Sequence, residues 1–211
     1  MLKLIDIRLY VILDISLLMQ LGRGAIAVME QAFSGGADIF QLRHKGATEK
    51  TLYSEATMLV PVAKKLGVPF IVNDSLSVAL ASGADGVHLG EDDLPISAAR
   101  QIAPQGFIIG ASASSVNSAI AAEENGADYI GYGAIFPTQT KYDAQKGSID
   151  ELKKIMRSVK IPVFALGGIN TENLSRLLEI GCRRVCVASG IIGTQHPNNS
   201  AQKIKNILIK A

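Results

Sequence analysis

Gly36-Ala37-Asp38, Gly83-Ala84-Asp85 and Gly126-Ala127-Asp128 are one tripeptide met three times along the chain. Each copy follows a stretch rich in Ala, Leu, Ser and Glu and precedes an apolar, β-prone run. Gly181-Cys182-Arg183 stands in an equivalent setting. Glycine just past a helix adopts the left-handed conformation without a Cβ clash, so each tripeptide reads as a helix-to-strand joint. Between these lie joints of a second kind: Gly67-Val68-Pro69, Gln105-Gly106-Phe107 and Val159-Lys160-Ile161-Pro162. Proline at the start of a strand costs no ladder bond. The two kinds alternate, and Leu9-Tyr10-Val11-Ile12-Leu13 adds an opening strand.

The pattern predicts strands over 9–13, 38–43, 69–73, 86–89, 107–111, 129–132, 162–167 and 184–188. Helices are expected over 24–34, 48–66, 75–81, 96–103, 115–124, 149–158, 171–179 and 199–209. Val163-Phe164-Ala165-Leu166 and Val185-Cys186-Val187-Ala188 are apolar at successive positions, as parallel strands covered on both faces are. Ser148-Ile149-Asp150-Glu151 fits a capping box, and Asn170 is an N-cap candidate. Pro61 is expected to kink or divide the second helix. Eight β-α units at about 26 residues each describe a compact (β/α)8 TIM barrel, an α/β fold in one domain spanning 1–211. The rival is an open doubly wound sheet. It usually needs fewer strands, and no Gly-x-Gly-x-x-Gly follows the first one here.

Composition narrows the function. The 211 residues are 48% hydrophobic, enough for a full core. Lys plus Arg number 21 against 19 Asp plus Glu, a net charge of +2, which argues against a nucleic-acid binder. Two cysteines exclude a disulfide scaffold and a four-thiolate zinc site. Charge interrupts the first eight residues before a signal core can form, and no uncharged apolar run reaches about 18 residues. A cytoplasmic protein away from membranes is expected, with homo-oligomerisation left open.

In such a barrel the chemistry sits where the strands end. Polar and reactive residues do follow the predicted strands: Gln41-Leu42-Arg43-His44-Lys45, Asn73-Asp74, Gly90-Glu91-Asp92-Asp93, Ser112, Thr138-Gln139-Thr140-Lys141, Gly167-Gly168 and Ala188-Ser189-Gly190. The opposite strand ends carry mostly Gly, Ala and Pro. Gly167-Gly168 and Ser189-Gly190 fall where barrels bind phosphate through backbone amides. Gln41 and Arg43, two apart, face the mouth together, and Lys45 reaches in from the loop. Two cations there suit a diphosphate, although a charged loop taken alone is more often a solvated face. Asp74 and Asp93 end adjacent strands. Either they share Mg2+, or they cap helices, a role open to Asp92 as well. Thr138, Thr140 and Lys141, on the long polar loop from Ile135 to Gly147, are candidates to grip a second anion; the other reading is a flexible surface loop. His88 reads as barrel filling, His196 as part of a polar turn, and Cys182 and Cys186 as inert buried thiols.

Together with Gly83-Ala84-Asp85-Gly86-Val87-His88-Leu89-Gly90-Glu91-Asp92-Asp93-Leu94-Pro95, Ile109-Gly110-Ala111-Ser112, Phe136-Pro137-Thr138-Gln139-Thr140-Lys141 and Gly167-Gly168-Ile169, these motifs give a chain that resembles the thiamine-phosphate synthases from Tyr10 to about Ile191. The resemblance implies an enzyme that joins 4-amino-5-hydroxymethyl-2-methylpyrimidine diphosphate to 4-methyl-5-(2-hydroxyethyl)thiazole phosphate, yielding thiamine phosphate and diphosphate. It assigns the pyrimidine diphosphate to Gln41, Arg43, Lys45, Asn73, Ser112 and Lys141, and Mg2+ to Asp74 and Asp93. The thiazole phosphate falls to Thr138, Thr140, Gly168, Ala188 and Ser189. Leu42, His44 and Gln139, inside the same motifs, count with the substrate contacts. Arg43, Lys45 and Lys141 neutralise the leaving group. The chain departs from the family at His44, where the residue is usually acidic, and at Ala188, where valine is commoner. A thiazole tautomerase on the same barrel is the alternative, but that branch lacks the diphosphate and Mg2+ residues. A binding protein that kept the pocket without catalysis is the other.

Overall fold

The computed structural model describes residues 4–137 and 147–210. Among them are eight strands: β1 Leu9–Asp14, β2 Ile39–Arg43, β3 Phe70–Asn73, β4 Gly86–Leu89, β5 Ile108–Ala113, β6 Tyr129–Tyr132, β7 Val163–Leu166 and β8 Val185–Val187. They pair in parallel, each with its sequence neighbour, and β8 returns to β1 to close the barrel. The helices among the described residues are α1 Ile15–Gln20, α2 Ala25–Ser34, α3 Glu49–Leu66, α4 Leu76–Ser82, α5 Ile96–Ile102, α6 Val116–Glu124, α7 Ile149–Ser158, α8 Leu174–Leu178, α9 Ser189–Ile192 and α10 Pro197–Lys210. The (β/α)8 expectation holds. The short helices α1 and α9 had no counterpart in the sequence pattern.

The repeated tripeptide has two jobs. Its glycine takes a positive φ, 96° at Gly36, 69° at Gly83 and 96° at Gly126. Its aspartate accepts the first amides of the preceding strand: Asp38 from Leu9 N–H at 2.9 Å, Asp85 from Phe70 at 2.8 Å and Asp128 from Ile109 at 2.7 Å. Amides at the lower end of a strand would otherwise be buried without a partner. Lys205 and Arg100 neutralise Asp38 and Asp128.

Alternation along the strands divides the core in two. Val11, Leu42, Val72 and Val87 pack outward into the layer beneath the helices. Tyr10, Ile39, Ile71, Tyr129, Phe164 and Cys186 fill the barrel. The rings of Tyr10, Tyr129 and Phe164 meet edge to face with centroids 5.5–5.8 Å apart. Gly110 makes room for them, since a Cβ there would lie 2.0 Å from Tyr129 Cζ. Gly110→Ala should therefore cost about 2–3 kcal/mol by overpacking. Urea denaturation checks this, and an unmoved midpoint would mean that the ring has another place to go.

Two helices differ in part from expectation. Pro61, expected to kink or divide its helix, does not divide α3, which runs from Glu49 to Leu66. Leu52, Ala56, Leu59, Val60 and Ala63 bury on both sides of the proline, and the carbonyl it orphans belongs to the exposed Thr57. The helix after Asn170 begins only at Leu174, because the Asn170 side chain holds the amides of Glu172 and Asn173 in a turn first. Ser148 caps Glu151 N–H at 3.0 Å as expected, whereas the Glu151 side chain reaches Val116 N–H at 3.3 Å.

Candidate active site

β1 ends in a residue the sequence pattern did not single out. Asp14, 4% exposed, accepts Leu17 N–H at 3.1 Å as the cap of α1 and forms an ion pair with Arg43 at the neighbouring end of β2. The Arg43 guanidinium is thereby anchored at the mouth. The signal was present, a charged residue directly after an apolar strand, as at Arg43 and Asp74.

The five residues from Gln41 do not act as a block. Gln41 points into the barrel one layer below Arg43 and donates to the Tyr10 hydroxyl at 2.9 Å. Leu42, expected among the substrate contacts, turns its fully buried side chain outward into the helix layer. Strand alternation requires this once Gln41 and Arg43 face inward. His44 turns toward α3, where its Nδ1 lies 2.8 Å from Glu55 Oε1, and it lines the same cavity as Lys45, Asn73 and Asp74. An acidic group thus stands beside position 44 even though the residue itself is not acidic. Lys45, exposed, pairs with Asp74 at the end of β3.

Asp74 has φ +67°, a left-handed conformation that Asp tolerates and most residues avoid. Neither carboxylate caps a helix. Ser75 caps α4, and Pro95 precedes α5 with no side-chain cap. Asp93 instead accepts Gly90 N–H at 2.7 Å. Its carboxyl is held above the usual carboxylate range by burial and by the like charge of Asp74. Two oxygen donors under mutual repulsion fit a hard divalent cation. Among the described residues no third His, Cys, Asp or Glu joins them, which leaves coordination positions for phosphate oxygens and water.

Across the mouth, Gly167 and Gly168 take φ +93° and +65° in succession. The carbonyls of Phe136 and Pro137 lie so close that a Cβ on Gly168 would meet them at 2.8 and 2.3 Å. Asn173 Nδ2 donates to the Gly168 carbonyl at 2.8 Å and fixes the loop. Ser189 and Gly190 open α9, where first-turn amides lack intrahelical acceptors. Ala188 precedes them as the cap residue.

Two cavities flank β2. Arg43 lines one of about 80 Å3 with Asp14, Gly167, Gly168 and Ser189. Lys45 lines the other, about 640 Å3, with Asn73, Asp74 and apolar side chains of α3 and α4. The small one lies over the barrel mouth and is walled by the loops after β7 and β8. Ser112 and His88 join within the barrel, Oγ to Nε2 at 3.0 Å. His88, buried and stacked on Tyr129, fills the barrel as expected and is hydrogen-bonded as well. Cys182 and Cys186 are buried thiols whose pKa burial pushes up, in accord with inertness. Thr138, Gln139, Thr140 and Lys141 lie outside the described residues, as does most of the loop from Ile135 to Gly147.

No helix among the described residues is long and apolar enough to cross a membrane. The model of the family described as thiamine monophosphate synthase matches residues 9–191. A thiamine-phosphate synthase of Persephonella marina is 43% identical over 203 residues, covering 96% of this chain and 96% of its own length. One of Ruminiclostridium cellulolyticum is 43% identical over 205 residues, 97% of each chain. The solved structure of a thiamine phosphate pyrophosphorylase from Pyrococcus furiosus superposes with a TM-score of 0.87 at 38% identity, covering 97% of this chain and 96% of that one.

Proposed function

The chain belongs to the thiamine monophosphate synthase family and is a transferase of thiamine biosynthesis; from that premise we propose how its barrel mouth carries the reaction. The pyrimidine diphosphate enters with its diphosphate toward Arg43, Lys45 and Asn73. The carbon–oxygen bond of its methylene group breaks, and the electron pair leaves with the diphosphate. The pyrimidine methyl cation left behind is stabilised by its amino group. The thiazole nitrogen then donates its lone pair to that carbon, and no proton need move.

The protein's task is therefore charge and position. Arg43, tied to Asp14, holds a fixed fork for leaving-group oxygens, and Lys45 exchanges Asp74 for phosphate. Asp74 and Asp93 would hold Mg2+, which when bound neutralises charge developing on the diphosphate. Lys141 is assigned to the same leaving group. The amides of Gly168, Ser189 and Gly190 hold the thiazole phosphate, with Thr138, Gln139 and Thr140 from the neighbouring loop, so the two rings are aligned before the bond breaks.

The observation that carries this reading is the Asp74–Asp93 pair, freed from helix capping and set beside Lys45, with the twin-glycine phosphate loop on the same barrel mouth. A diphosphate-release assay with both heterocycles tests it. Release should match thiamine phosphate formation, require both substrates for sustained turnover, and stop when Mg2+ is chelated. Equal release without the divalent ion would remove the metal from the scheme.

A further inference from the structure

Just beneath the mouth a line of side-chain hydrogen bonds crosses the barrel from wall to wall. Gln41 Nε2 donates to the Tyr10 hydroxyl at 2.9 Å. The Tyr10 and Tyr129 hydroxyls lie 3.0 Å apart, Tyr129 Oη lies 3.1 Å from His88 Nδ1, and His88 Nε2 lies 3.0 Å from Ser112 Oγ. Gln41, Tyr10, Tyr129 and His88 are all buried. Glycines clear the path, since a Cβ on Gly131 would press on His88 Cε1 at 3.1 Å, as one on Gly110 would on Tyr129.

We infer that Tyr10, Tyr129 and His88 form a positioning relay that presents an acceptor on Gln41 and a donor on Ser112 to the aminopyrimidine ring. The inference rests on the reaction proposed above for the contacts of Gln41 and Ser112; the relay itself rests on geometry. Each hydroxyl has a single proton to give. Gln41 donates to Tyr10, so the Tyr10 proton passes on toward Tyr129. The Tyr129 proton then points at His88 Nδ1, which must accept. A neutral imidazole that accepts at Nδ1 carries its proton at Nε2, directed at Ser112 Oγ. Ser112 keeps its own proton for a ligand, and the Gln41 Oε1 is left to accept. Burial holds both phenols far above their usual range, so neither gives up the proton on which this order depends.

An aminopyrimidine shows the matching face, exocyclic N–H donors beside ring-nitrogen acceptors. With the order set in advance, the ring meets donors and acceptors that need no rearrangement. Tyr10 and Tyr129 act through their neighbours and are positioning residues, not catalytic ones.

Two measurements test the relay. 15N NMR of the imidazoles in the protein without substrate should show His88 as the Nε2-protonated tautomer; an Nδ1-protonated ring would overturn the proposal. In Tyr129→Phe, which removes the central hydroxyl and keeps the ring, KM for the pyrimidine diphosphate should rise about tenfold while KM for the thiazole phosphate changes less than about twofold. Tyr10→Phe serves as the second variant if the first fails to fold. Both KM values moving together, or neither moving, would sink the relay. A wild-type protein that forms no thiamine phosphate would refute the proposed reaction instead, and the NMR result would still judge the relay.

Discussion

Asp74→Asn and Asp93→Asn should each lower turnover about 10²–10³-fold at saturating Mg2+, with melting temperatures close to the parent's. The substitution removes charge and little else. Asn is as tolerant as Asp of the φ +67° at position 74, and its carbonyl oxygen can still accept Gly90 N–H at position 93. Relief of the repulsion that raises the Asp93 carboxyl offsets part of any stability lost. Lys45 loses its partner in Asp74→Asn, but it is exposed, and exposed pairs contribute about 0–1 kcal/mol. Steady-state rates over a range of Mg2+ concentrations decide the matter. Either variant working at the parent's rate across that range removes its carboxylate from the metal site.

Gly168→Ala should raise KM for the thiazole phosphate about a hundredfold. Two penalties meet at this position. The left-handed backbone at φ +65° costs a residue with a Cβ about 1–2 kcal/mol. The added methyl would sit 2.3 Å from the Pro137 carbonyl oxygen, so one loop must move by about an ångström. That shift carries the amide away from the phosphate. Gly106→Ala separates the two effects. Gly106 has φ +83° with nothing within 4 Å of where a methyl would stand, and it lies at the far end of the barrel from the mouth. It should lose stability without losing affinity. A Gly168→Ala enzyme whose KM values match the parent's would show that this loop does not touch the phosphate.

Much of the proposed site was legible because it is local. The rule that chemistry gathers where strands end pointed to Arg43, Asp74, Asp93, Ser112 and Gly168, and applied to Leu13-Asp14 it would have pointed to Asp14. Alternation alone could have turned Leu42 outward. The roles of the repeated aspartates were hidden for another reason. Their partners are amides on a different strand, 19 residues back from Asp128 and 29 back from Asp38. The helix N-cap reading of Asp74 and Asp93 could be set aside only when Ser75 was seen to take that place at α4.

The chain's local order, read alone, determined eight strands with helices between them, glycine joints at the lower rim and a polar upper one. Each of those follows from the φ a residue tolerates and the face its neighbours alternate to. Closure of the barrel decided the rest. The stagger of neighbouring strands sets the height of every inward side chain, so only the folded cylinder could put Gln41 one layer beneath Arg43. It also joins Tyr10 to Tyr129, 119 residues apart, because a hydrogen bond across a barrel depends on where its two walls meet.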